Sequence, residues 1–176
     1  MRNNFDHKLS GVQIKEIAQN LVDILKCDAM ISEQTASFIS NWILTDSKEK
    51  EKVFFDVWDI VLKNYMPSKT PILFKGFNGR VKDLTIGSFT GRFDCARAFS
   101  DKSKTLIICD TKESLFSKFS TTPGSYQYTF YPLVEVLIKA KKEGGWTFSE
   151  LLLDYIQEDE YIMRIDLSYM YKVKLV

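Results

Sequence analysis

A chain of 176 residues can build one substantial core, or a core with a helical appendage. Its 45% apolar and 14% aromatic content excludes an intrinsically disordered chain. Twenty-four Lys and Arg stand against 23 Asp and Glu, a balance that removes the long-range field on which a nucleic-acid or membrane-surface binder depends.

The first elements are helical. Residues 1–9 are polar, and the single histidine, His7, reads there as a solvent residue. Ser10 with Gln13 forms a capping-box pattern, and Ile14, Ile17, Ala18, Leu21, Val22 and Leu25 follow at helical steps. Ser32 opens a second helix carrying Phe38, Ile39, Trp42 and Ile43. Asp46 and Glu49 form another capping box before Val53, Phe54, Val57, Trp58, Val61 and Leu62. Pro67 closes this region, and Met66 to Pro71 reads as a linker.

Beyond Pro71 the pattern changes to short strands. Ile72 to Phe74 predicts a strand closed by Gly76, Gly79 marks a turn, and Ile86 to Thr90 predicts a strand interrupted by Gly91. Asp94 to Phe99 suits a short helix and Thr105 to Cys109 a β-branched strand. Residues 111–125 read as a loop, and Tyr126 to Tyr131 as a strand. Pro132 starts a helix through Leu133, Val136, Leu137 and Ala140 that stops at Gly144 and Gly145. Thr147 with Glu150 caps a short helix, an acidic stretch runs from Gln157 to Glu160, and strands follow at Tyr161–Ile165 and Tyr171–Val176. In the last of these, Val173 and Leu175 alternate with Lys172 and Lys174.

Several chemistries are absent from the pattern. There is no phosphate loop, Rossmann fingerprint, His-based triad or His/Cys metal cluster. Cys27, Cys95 and Cys109 are too widely spaced for a disulfide framework or a zinc site and read as buried small hydrophobes. With neither a secretory segment nor an apolar run of membrane-spanning length, a cytoplasmic, reducing environment is the expectation.

Three segments remain: Ile72-Leu73-Phe74-Lys75-Gly76-Phe77; Gly87-Ser88-Phe89-Thr90 followed by Ala96-Arg97-Ala98-Phe99; and Glu158-Asp159-Glu160-Tyr161 followed by Tyr171-Lys172-Val173-Lys174-Leu175. Taken singly each is ordinary: a solvated acidic turn, strand hydroxyls, a surface lysine. Their order resembles the Arg–Ser–Glu class of mono-ADP-ribosyltransferases, closest in look to tailed-phage enzymes that modify host proteins and to related bacterial toxins. The resemblance covers residues 70–176.

The pattern of elements reads as an α+β protein with an N-terminal helical region (1–66), and the resemblance implies that residues 67–176 form an ADP-ribosyltransferase-like domain built on a mixed, split β-sheet. It implies NAD as co-substrate, no metal, and a target protein as partner, in the host bacterial cytoplasm if the chain is phage-encoded. Glu160 matches the catalytic glutamate, Glu158 the acid that activates the acceptor, and Ser88 the serine that positions Glu160. Phe89 and Thr90 match positions lining the nicotinamide pocket, and residues Asp154 to Asp159 the loop that meets the target. Lys75, followed by Gly76, stands where the family has an arginine that contacts NAD; it keeps the charge and loses the planar fork. Gly91 and Arg92 stand where a second serine is common, and Arg80, Arg92 and Arg97 are the neighbouring candidates for phosphate contacts. The alternative is the same fold without NAD turnover, a binding module that inhibits a host or defence protein. An interaction domain unrelated to NAD is a third reading, separable by sheet topology.

Overall fold

The computed structural model describes residues 8–80, 82–100, 104–114, 129–145 and 150–176. His7, most of the 111–125 loop, the start of the expected 126–131 strand and the Thr147 cap lie outside the described residues. The chain divides into two compact units: residues 1–65 with 135–156, and residues 66–134 with 157–176.

The first unit is helical. Helix α1 (Gly11–Lys26) begins where the Ser10 hydroxyl accepts the Gln13 amide and the Gln13 side chain accepts the Ser10 amide, satisfying two of the amides a helix start leaves open. Helix α2 (Glu33–Leu44) is capped by Ser32, whose hydroxyl accepts from the Thr35 amide at 3.1 Å. Helix α3 (Lys52–Asn64) starts later than expected and without a side-chain cap. The expected capping box at Asp46 and Glu49 is instead a turn: the Asp46 carboxylate accepts the Lys48 amide and its carbonyl accepts that of Glu49. The apolar rows of α2 and α3 meet in an aromatic cluster, and α1 buries Ile17, Ala18, Leu21, Val22 and Ile24. Phe38, Trp42, Phe54 and Trp58 are all buried, with ring centroids 5.5–5.9 Å apart at tilted to edge-on angles. Helix α5 (Leu133–Lys142), which joins this unit from Glu135 on, ends at Gly144 and Gly145, both at positive φ.

The second unit is one six-stranded sheet of β1 (Ile72–Phe77), β2 (Ile86–Thr90), β3 (Thr105–Asp110), β4 (Phe130–Tyr131), β5 (Glu160–Arg164) and β6 (Tyr171–Lys174), in the order β4-β5-β2-β1-β3-β6. The expectation of a mixed sheet is corrected, because every neighbouring pair is antiparallel. β1 pairs with β3 from Ile72↔Asp110 to Phe77↔Thr105, and β2 with β5 from Ile86↔Arg164 to Thr90↔Glu160. Between β1 and β2 the only paired residues are Phe74 and Thr90. That single pair joins two three-stranded halves, β4-β5-β2 and β1-β3-β6.

One face of the sheet buries Leu106, Tyr131 and Ile162, and the other carries a core cluster. Leu73, Phe89, Ile107, Cys109, Phe130, Met163 and Ile165 are buried together there, with Phe77, Tyr161, Leu167 and Met170 packed against them. Helix α4 (Phe93–Phe99) lies over the opposite face at β1, where Gly76 admits it: a Cβ on Gly76 would stand 2.0 Å from the Ala96 carbonyl oxygen. β1 therefore does not stop at Gly76, which serves as the packing point inside the strand. Strand β6 is exposed along its whole length, so the alternation of Val173 with its lysines does not mark a buried face. Of the cysteines only Cys109 is fully buried; Cys27 is exposed because it caps the end of α1 in solvent, and Cys95 is half-buried on α4. No helix among the described residues is long and apolar enough to cross a membrane.

Candidate functional site

Side chains alternate along a strand, so the register decides which residues can share a site. Thr90 pairs with both Phe74 and Glu160, which places these three in one row on the face opposite the core. Ser88, two residues before Thr90, shares that face. Its hydroxyl donates to Glu160 Oε1 across the β2–β5 pair at 2.5 Å. Glu160 is only 8% exposed, and a buried carboxylate needs such a donor, because desolvation without one is costly.

The turn entering β5 holds two further acids. A 3-10 helix (Glu150–Glu158) ends at Glu158, and Asp159 follows in the left-handed region at φ 48° before β5 begins. Glu158 is half-buried; desolvation, and then the nearby charge of Glu160, raise its pKa above the ordinary carboxylate value. Desolvation likewise raises the Asp159 pKa, and the Arg92 charge offsets part of that rise.

This turn is stitched to the end of β2. The Thr90 hydroxyl donates to the Glu158 carbonyl at 2.6 Å and accepts the Arg92 amide at 3.0 Å. The Gly91 amide donates to the Asp159 carbonyl at 3.1 Å. A Cβ on Gly91 would stand 2.0 Å from Asp159 Oδ2, so the acid occupies the space that glycine leaves. Arg92 donates from one guanidinium nitrogen to the Gln157 carbonyl at 2.9 Å, and from two others to the Asp94 carboxylate at 3.2 and 2.5 Å.

The structure thus brings Ser88, Glu158 and Glu160 together, and it separates the residues expected to contact NAD. Phe89, expected in a nicotinamide pocket, is 2% exposed and belongs to the core on the other face, because it follows Ser88 by one residue on the strand. Thr90 lies on the Glu160 side, where its hydroxyl donates to the turn at Glu158 and accepts the Arg92 amide. Lys75 alternates onto the core face with Leu73 and Phe77. Its amine reaches into the gap between the two halves of the sheet, donates to the Ser88 carbonyl at 2.7 Å, and stands 5.3 and 5.7 Å from the ring centres of Phe77 and Phe89. Gly76 receives helix α4. Arg92 is exposed, with its guanidinium forked onto Asp94 and Gln157.

Comparison with protein-family models, curated proteins and solved structures finds no match. A buried carboxylate held by a hydroxyl, beside a second carboxylate of raised pKa, is suited to binding a sugar hydroxyl or a developing positive charge at one group while the other accepts a proton. Among the described residues no three His, Cys, Asp or Glu side chains are grouped to hold a metal ion. In the sequence Asp94 carries no site role, Gln157 enters a site only within the loop expected to meet the target, and Gly91 only where a second serine is common. A salt bridge spanning two residues and a backbone carbonyl leave no pattern there, whereas Gly91 beside a strand end was at least a visible interruption.

Proposed function

We propose that this chain is an NAD-dependent protein mono-ADP-ribosyltransferase. The observation that carries the reading is the hydrogen bond from Ser88 to the buried Glu160, with Glu158 two residues earlier on the same lip. The narrow single-pair junction between the two halves of the sheet is further support, since it leaves a parting beside that bond.

The chemistry follows from the placement of the acids. Breaking the bond between the ribose C1′ and the nicotinamide nitrogen sends its electron pair to the pyridinium ring and leaves positive charge on the ribose, as in glycoside cleavage. Glu160, held by Ser88, accepts a hydrogen bond from the ribose 2′-hydroxyl and stabilises that charge. A nitrogen of the target, an arginine side chain in this reading, bonds to C1′ and loses a proton to Glu158. The raised pKa of Glu158 suits a group that must take up a proton near neutral pH. Water in place of the target nitrogen gives NAD hydrolysis by the same Glu160 step.

A second reading is favoured by Lys75. Its amine is engaged at the Ser88 carbonyl from the core face, which suits a brace for β2 better than a phosphate contact. That arrangement fits a non-catalytic binding module built on the same sheet. Release of nicotinamide from NAD by the purified protein separates the two. The transferase reading predicts release that falls about 10²–10³-fold in Glu160→Gln. Equal background release from both proteins, with no NAD binding, would leave the binding module.

A further inference from the structure

We propose that Arg92 is a positioning residue that holds the Gln157–Asp159 turn so that Glu158 stays beside Glu160. The proposal rests on the transferase reading for its catalytic consequence, and on hydrogen bonds alone for its structural one. The family resemblance would have made Arg92 a phosphate contact; the geometry gives its guanidinium other work. One nitrogen donates to the Gln157 carbonyl, directly before Glu158, while two others fork onto Asp94 in the first turn of α4. The Arg92 amide also donates to Thr90, whose hydroxyl in turn donates to the Glu158 carbonyl. Arg92 therefore reaches the backbone on both sides of Glu158, at the Gln157 carbonyl through its side chain and at the Glu158 carbonyl through Thr90.

The turn needs such a hold. Asp159 adopts a positive φ that is unfavourable for a residue with a side chain, and Glu158 and Asp159 both lose hydration there. Recovering the hydration of these two acids favours relaxation of the turn outward into water, which the hold opposes. The Arg92–Asp94 pair is exposed, with side chains 46% and 67% accessible, and exposed ion pairs contribute little to global stability. The fork thus fixes local register and leaves overall stability nearly untouched. Glu160 is held separately, by Ser88 and by its pairing with Thr90 in the sheet.

This separation predicts a split in the reaction. Loosening the turn displaces Glu158, which serves the protein acceptor, more than Glu160, which serves the break of the glycosidic bond. In Arg92→Ala, the ratio of protein labelling to NAD hydrolysis falls about 10- to 100-fold, the size expected of a displacement of about 1 Å. The KM for NAD and the melting temperature stay close to wild type. Arg92→Lys recovers only part of the ratio, since an ammonium cannot fork onto Asp94 while reaching Gln157. A raised KM for NAD with the ratio unchanged would make Arg92 a phosphate contact and overturn the proposal.

Hydrogen exchange supplies an arm independent of activity. The Gly91 amide is bonded to the Asp159 carbonyl, so its exchange, with that of residues 157–160, accelerates in Arg92→Ala if the turn is released. Unchanged exchange contradicts the proposal whatever the activity. Accelerated exchange in a protein that neither labels targets nor hydrolyses NAD would refute the transferase reading and leave the hold on the turn standing.

Discussion

The helical unit and the sheet unit treat their polar groups in opposite ways. In the helices, local preference and tertiary packing agree: serines sit at helix starts, apolar rows face inward, and four large aromatics fill the centre. In the sheet unit, although Leu84 and Lys104 also take a left-handed backbone, the departures from that agreement are densest at one corner. There a carboxylate is buried, two more acids are half-buried beside it, and one backbone residue takes a left-handed conformation. Several local rules broken together at one corner mark a place where something other than stability has shaped the chain. Substitutions in the two regions should therefore differ in sign as well as size.

The largest effect on stability belongs to the aromatic cluster. Trp58→Ala should destabilise the fold by about 3–5 kcal/mol, the cost of opening a cavity in a close-packed core, and a denaturant melt measures it. Ser88→Ala comes next. It removes the hydroxyl donor to a buried carboxylate, at a cost of about 1.5–3 kcal/mol in the same melt, and it lowers NAD turnover together with stability.

The smallest effect has the opposite sign. The Glu158 pKa is raised in the folded state by desolvation and by Glu160, so the folded protein binds that proton more tightly than the unfolded chain. The group favours folding below the ordinary glutamate pKa of 4.5, and that contribution is lost as pH rises through the raised value. Glu158→Gln should accordingly melt on the order of 1 °C higher than wild type at pH 7, with the gap closing toward pH 4. The same variant should lose protein labelling. A Glu158→Gln protein that melts lower at pH 7 than wild type would show that the corner is an ordinary stabilising turn, and the contrast between the two units would fail.

How much of this was legible in the sequence follows the same division. The Ser10–Gln13 box and the helical apolar rows were readable because both signals are local and reinforce each other. Asp46 and Glu49 carried the same box pattern and misled, since the apolar row starts only at Val53 and the helix forms where burial begins. Ser88 and Glu160 were readable as motif positions, and two residues of strand spacing carried Thr90 onto their side. Phe89 could be placed on the opposite face from Ser88 by strand alternation alone. The placement of Lys75 opposite Ser88 was not readable, because it depends on the β1–β2 register, set by the single pair Phe74↔Thr90. The hold by Arg92 and Asp94 was hidden for a similar reason: the carbonyl it grips, at Gln157, has no side-chain signature.

Transfer of label from NAD onto the proteins of a bacterial lysate, comparing wild type with Glu160→Gln, bears most directly on the proposed activity. Wild type should label proteins and the variant none, both proteins being folded by their melts. Equal labelling by the two, or none from either, would contradict the assignment of catalysis to the Ser88–Glu160 corner.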